Sequence, residues 1–120
     1  MAGPLSGVRV LDLTTVVMGP FATQILGDFG ADVIKLEPPE GDVMRHNAPM
    51  RSKGMGHIFM NANRNKRSVV IDLKQPAGRE ACLAIARNVD VLIYNIRPQA
   101  MARLKLAYDD VRAVNPKQPT

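Results

Sequence analysis

Six cations follow one another between Arg45 and Arg67 with no acid among them: Arg45, Arg51, Lys53, Arg64, Lys66 and Arg67. The rest of the chain carries ten basic and eleven acidic residues, so the net charge of +5 is concentrated in this one stretch. Arg and Lys gathered in a loop suit an anionic partner, whether a nucleotide phosphate, an acidic substrate or a nucleic acid, and the plain alternative is a solvated loop. The acids point elsewhere. Asp12 falls inside a strand-like run, Asp28 and Asp32 flank a helix end, and Asp72 precedes Leu73 in strand alternation, placements that suit structural roles, and none has a matched base. His46 and His57 stand eleven residues apart with no cysteine pair or acid cluster at ligand spacing, which argues against a metal site. Cys82, the one cysteine, lies in a helical stretch where it reads as a small core residue.

These groups need a scaffold. Val8–Leu13 (VRVLDL) is an aliphatic run fit for a buried strand, and Asp32–Glu37 (DVIKLE) is another, stopped by Pro38-Pro39. Between them Pro20 sits at a first helical position. Phe21, Ile25, Leu26 and Phe29 share one helical face, and Gly30 is placed to end the helix in a left-handed turn. Strand, helix and strand predict two parallel neighbours in a sheet. Further strands are predicted at Ser68–Leu73 (SVVIDL) and Val89–Tyr94 (VDVLIY). A helix from Pro76 to about Asn88 is expected to turn Ala77, Ala81, Ala84 and Ile85 to the sheet, and short helices are expected over Ala100–Leu104 and Tyr108–Val114. The fold class is therefore α/β, a Rossmann-like parallel sheet with flanking helices. Residues 38–67 lack periodicity, and Gly41, Pro49, Gly54, Gly56 and four Asn mark them as a long basic loop, the kind that binds or stays disordered. Ligands of such sheets sit outside the carboxyl ends of the strands, which directs attention to Thr14–Gly19, Lys74–Pro76 and Asn95–Pro98.

Composition narrows the classes. A chain of 120 residues with 46% hydrophobic content makes one domain, residues 1–120, with a real core. Aromatic residues are only 4% and Trp is absent, so the core draws on aliphatic residues and seven Met. A single cysteine and a start without a basic, apolar leader point to a reducing cytoplasm, and charges interrupt every apolar run that would otherwise span a membrane. A dinucleotide-binding oxidoreductase would need G-x-G-x-x-G after the first strand, where this chain has Thr14-Thr15-Val16-Val17-Met18-Gly19-Pro20. A nucleic-acid-binding module would want stacking residues, and Phe59 is the one aromatic within the basic run.

Taken in order, GVRVLDLTTVVMGPFATQILGDFGADVIKLEPPEGD, NRNKRSVVIDLKQPAGRE, DVLIYNIRPQAMARLKLAYDDV and VNP resemble the opening of family III CoA transferases of the CaiB/BaiF type, over residues 5–116. That family includes formyl-CoA transferase, carnitine CoA transferase and α-methylacyl-CoA racemase. The resemblance implies coenzyme A as substrate, with no tightly bound cofactor. It implies that CoA is held by Val17 and Met18, Leu73 and Lys74, Asn95, Ile96 and Arg97, and Arg103. Fixed Arg and Lys side chains suit the pyrophosphate and 3′-phosphate of CoA. Partners would be an acyl-CoA and a small carboxylic acid, with no nucleic acid and no membrane, and the full-length form would be a homodimer whose missing surface leaves apolar area exposed here.

Two departures qualify the resemblance. Val16-Val17-Met18 replaces the Gln that formyl-CoA transferases place near the reacting acyl group, and Pro38 replaces the basic residue that stacks on adenine, a role Arg45 would have to assume. The family's catalytic Asp, which attacks the acyl thioester, belongs beyond residue 120, as would the His and Asp of a racemase. The chain is thus expected to be the CoA-binding part of a truncated transferase, with racemase or inactive fragment as alternatives.

Overall fold

The computed structural model describes residues 3–117. Four strands, β1 (Arg9–Asp12), β2 (Asp32–Glu37), β3 (Lys66–Val70) and β4 (Val91–Ile93), form one parallel sheet in the order β3-β2-β1-β4. Around it lie α1 (Met18–Asp28), α2 (His57–Ala62), α3 (Pro76–Ala86), α4 (Pro98–Arg103) and α5 (Tyr108–Val114). A parallel sheet covered on both faces wants apolar residues on both, and β1 supplies them. Val10 packs with Ala31 and Val33 on the side of Leu26 from α1. Leu11, its neighbour, enters the larger cluster with Leu36, Cys82, Leu83, Ala86, Met101, Leu106 and Val111. Complete burial of one such Leu is worth about 1.5–3 kcal/mol.

The predicted strands and helices are all present, with shifted limits. The strand expected at Ser68–Leu73 runs Lys66–Val70, which frees Ile71–Leu73 to line the sheet's edge. Gly30 takes φ +101° beyond α1 as the sequence implies. Residues 38–67 are more ordered than a structureless loop. Asp42 caps a 3-10 turn over Val43–His46 by accepting from the Met44 amide at 2.9 Å, and α2 follows.

Two helix faces differ from expectation. On α1 the buried residues are Pro20, Thr23, Gln24 and Gly27, while Phe21 and Phe29 are half exposed and Ile25 also reaches the surface. Periodicity locates an apolar stripe but not what covers it, and here Thr23 donates to the buried Asp12 and Gln24 accepts from the Arg64 amide, which draws the opposite face inward. On α3 the sheet receives Cys82, Leu83 and Ala86, with Ile85 partly buried and Ala77, Ala81 and Ala84 outside. Leu83 outweighs the small alanines in apolar area, so burial follows its face.

Candidate functional site

At the carboxyl ends of β1, β2 and β3 the sheet opens into an apolar cleft of about 220 Å³. Leu13 and Thr15 follow β1, Pro38 follows β2, Ile71 and Leu73 follow β3, and Ile96 follows β4. A second depression of about 330 Å³ adjoins it, and Leu73, Lys74 and Leu104 line both. Its walls carry four cations, Lys74, Arg79, Arg103 and Lys105, against one acid, Glu80. Arg79 donates to the Lys105 carbonyl at 3.2 Å and to Glu80 at 3.1 Å, tying α3 to the turn after α4. Gly78, one residue earlier, is fitted so closely that a Cβ would run into the Asp72 carbonyl.

The site residues expected from sequence separate into two groups. Leu73, Lys74, Ile96 and Arg103 converge on the paired cavities. Asn95 works one step away: its amide donates to the Thr15 carbonyl at 2.9 Å and accepts from the Thr15 amide at 3.2 Å, clasping the β1–α1 turn. Val17, Met18 and Arg97 are exposed at the starts of α1 and α4, outside both walls. Arg79 and Lys105 are additions that sequence reasoning passed over. Their signal was local, since Arg79 lies one turn beyond Pro76 and Lys105 two residues beyond Arg103.

The basic run is not the exposed anion site that its composition implies. Arg64 pairs with Asp28 at 2.9 Å and Arg67 with Asp32 at 2.8 Å, both at the surface. The Arg64 hydrogen bond holds the Asp28 carboxyl below its usual range. Arg45 grips Glu37 through two nitrogens, at 2.7 and 2.8 Å, while its face lies 3.8 Å from the centroid of Phe59. One edge and one face of the guanidinium are thus engaged within the chain. Lys66 is buried, with its ammonium 3.0 Å from Asp12. Burial lowers the Lys66 pKa and the Asp12 charge works against that. Only Arg51 and Lys53 of the six have no ion pair among the described residues. The cations were near acids in the fold that lie on other elements in the sequence.

Beneath the β1–α1 turn these pairs form a buried polar layer. Asp12 accepts from the Thr14 amide at 2.9 Å, from the Thr14 hydroxyl, and from the Thr23 hydroxyl at 2.6 Å. Lys35 donates to the Thr14 carbonyl at 3.1 Å and lies 2.8 Å from Asp42, a close ionic contact rather than an aligned hydrogen bond. Glu37 accepts from Arg45, from the Asp42 amide at 2.8 Å and from the Ser68 hydroxyl. Burial alone would raise its pKa, but these donors and the Arg45 charge bring it down to about 2. The structural roles expected for Asp12, Asp28 and Asp32 are what the geometry gives them. Asp72 also supports a turn, accepting from the Lys74 amide at 3.1 Å.

Comparison with known proteins follows the same line. The profile of CoA-transferase family III matches residues 5–117. The chain is 42% identical over 118 residues to a succinyl-CoA:mesaconate CoA-transferase of Haloarcula hispanica, covering 95% of this chain and 30% of that one. It is 40% identical to a formyl-CoA:oxalate CoA-transferase of Afipia carboxidovorans, covering 98% of this chain and 28% of the relative. The fold superimposes on a CaiB/BaiF family protein of Brucella suis with a TM-score of 0.90 at 35% identity, covering 96% of this chain and 32% of that one. The chain thus spans about 30% of the length of the relatives it matches. With 113 consecutive residues matched and the sheet, turns and Asn-x-Arg-Pro loop in the expected order, this chain belongs to CoA-transferase family III.

Proposed function

We propose that this chain is the CoA-holding part of a CoA transferase that moves CoA between an acyl-CoA and a small carboxylic acid. The observation that carries the reading is the pairing of an apolar cleft with a four-cation depression through shared walls at Leu73, Lys74 and Leu104. CoA has the matching halves, an apolar-faced purine and a cluster of phosphates, and charge-assisted bonds from Lys and Arg suit the latter. In this reading Leu73 and Ile96 face the purine, Lys74 and Arg103 bind phosphate with Arg79 and Lys105, and Asn95 holds the Thr15 turn. Val17, Met18 and Arg97 reach only the parts of the ligand that extend past the cleft.

Transfer itself uses a carboxylate that attacks the acyl thioester and expels CoA thiolate, giving a mixed anhydride. The thiolate attacks the enzyme's carbonyl of that anhydride, releasing the donor acid and leaving an enzyme–CoA thioester, and the acceptor carboxylate runs the same two steps in reverse to leave as its own CoA thioester. We assign that carboxylate outside residues 1–120, as the family resemblance implies; Asp12 and Glu37 within the chain are buried in ion pairs. The homodimer reading finds support in the exposed apolar face of α1, Met18, Phe21, Ile25 and Phe29. A cytoplasmic setting fits a lone buried cysteine. No helix among the described residues is long and apolar enough to cross a membrane. The pairing of Arg45, Arg64, Lys66 and Arg67 with acids of the chain itself supports a small anionic ligand over nucleic acid as the partner.

Calorimetric titration with CoA and with dephospho-CoA tests the reading. CoA is expected to bind more tightly than the analogue lacking the 3′-phosphate. Lys74→Ala or Arg103→Ala is expected to weaken CoA about tenfold each, the worth of a hydrogen bond to a charged group. No heat at millimolar CoA would sink the proposal.

A further inference from the structure

Val16 takes φ +76°, a conformation that β-branched residues rarely adopt. Such strain persists only where the surroundings over-determine it, and it concentrates at functional sites. The turn that contains Val16 joins β1 to α1 and contributes Thr15 to the wall of the apolar cleft. Contacts grip it on both sides. Asp12 holds Thr14 through its amide and hydroxyl, and Asn95 clasps both backbone groups of Thr15. On the far side the Phe21 amide donates to the Val17 carbonyl at 2.8 Å.

Lys35 completes the grip from a neighbouring strand. Its side chain is 1% exposed, and its ammonium spends a hydrogen bond on one backbone carbonyl, that of Thr14. Asp42, equally buried, supplies the counter-charge. The β1–β2 ladder runs on backbone pairing and does not need these two charges. A buried ion pair often adds little stability over apolar residues of similar size, yet it is demanding about geometry. We propose that Lys35 is a positioning residue for the ligand cleft: through the Thr14 carbonyl it keeps Val16 in its left-handed turn and Thr15 in the cleft wall. The identity of the ligand rests on the CoA reading above, whereas the grip on the turn rests on geometry alone.

A cycle of variants tests it. Lys35→Met combined with Asp42→Asn removes both charges and leaves an oxygen to cap the Met44 amide. Val16→Gly removes the penalty of a positive φ. Calorimetry with CoA, thermal midpoints, and amide NMR shifts of Thr14 to Met18 are read on the parent, both variants and their combination. The charge-free variant is expected to stay folded, to bind CoA about tenfold more weakly, and to shift the Val16 and Val17 amides. Val16→Gly is expected to raise the thermal midpoint of the parent, to raise that of the charge-free variant less, and to bring its CoA affinity back to within about threefold of the parent. A Lys35 that matters only for stability would lower the midpoint with unchanged amide shifts and affinity, or give a loss that Val16→Gly leaves in place, and either result overturns the proposal. If the charge-free variant does not fold, Lys35→Arg, which keeps the charge and moves it, is put through the same cycle with the same criteria. If the parent itself binds no CoA, the CoA reading fails, and the amide shifts together with the midpoint cycle still decide the grip.

Discussion

Glu37→Gln tests the most sharply defined electrostatic feature of the fold. The Glu37 carboxyl titrates at about 2 in the folded chain against 4.5 when free, with its side chain 2% exposed. At about 1.4 kcal/mol for each pH unit of depression, the difference is worth roughly 3 kcal/mol, reduced to about 2 because Arg45 reaches solvent and is partly screened. The folded form is the stronger acid, so this stability is complete above pH 4.5 and is lost as the pH falls from there to about 2, where the folded carboxyl also takes up its proton. Urea unfolding of the parent and of Glu37→Gln, at steps from about pH 7 to about pH 2.5, gives the difference directly. It should hold near 2 kcal/mol down to about pH 5 and shrink steadily below. A difference that stays level to the acid end of the series, or that is absent at neutral pH, would refute the assignment of the ion pair as its source.

Two further outcomes follow from close packing. Gly78→Ala would gain about 1 kcal/mol in an ordinary helix, but the Asp72 carbonyl blocks the new methyl here, so a loss of about 1–3 kcal/mol is expected. A raised denaturation midpoint would reject the close approach of α3 to the cleft-lining turn. Burial pushes the Cys82 thiol up to about 11, so native protein near neutral pH should resist an aromatic disulfide reagent and react once urea unfolds it. Full labelling of the folded chain within minutes would contradict the buried position.

Some of this protein was legible residue by residue. Val8–Leu13 and Asp32–Glu37 declare strands because two-sided burial demands continuous aliphatic runs, and Pro38-Pro39 stops the second. Pro76 marks a helix start by its fixed φ and Gly30 a helix end by its freedom to take a positive one. Leu73, Lys74, Ile96 and Arg103 came from motif resemblance, and the sheet gathers them because its strands all end at the same edge. The orientation of α1 was not legible. Its apolar stripe is real, but Thr23 and Gln24 find partners in Asp12 and Arg64 that only the folded chain brings near.

The sequence by itself determined the fold class, the order of strands along the chain and the family, since these depend on local pattern and on motifs read in order. Tertiary structure alone decided what the charges do. A cation counts as free in a sequence until the fold reveals its neighbours, and Arg45, Arg64, Lys66 and Arg67 meet acids from β1, β2 and the end of α1. The charge run that seemed made for an anion largely holds the scaffold, while the cations lining the depression beside the cleft are Lys74, Arg79, Arg103 and Lys105, which no composition count would single out. Coulomb attraction acts across space rather than along the chain, which is why the one could be read early and the other could not.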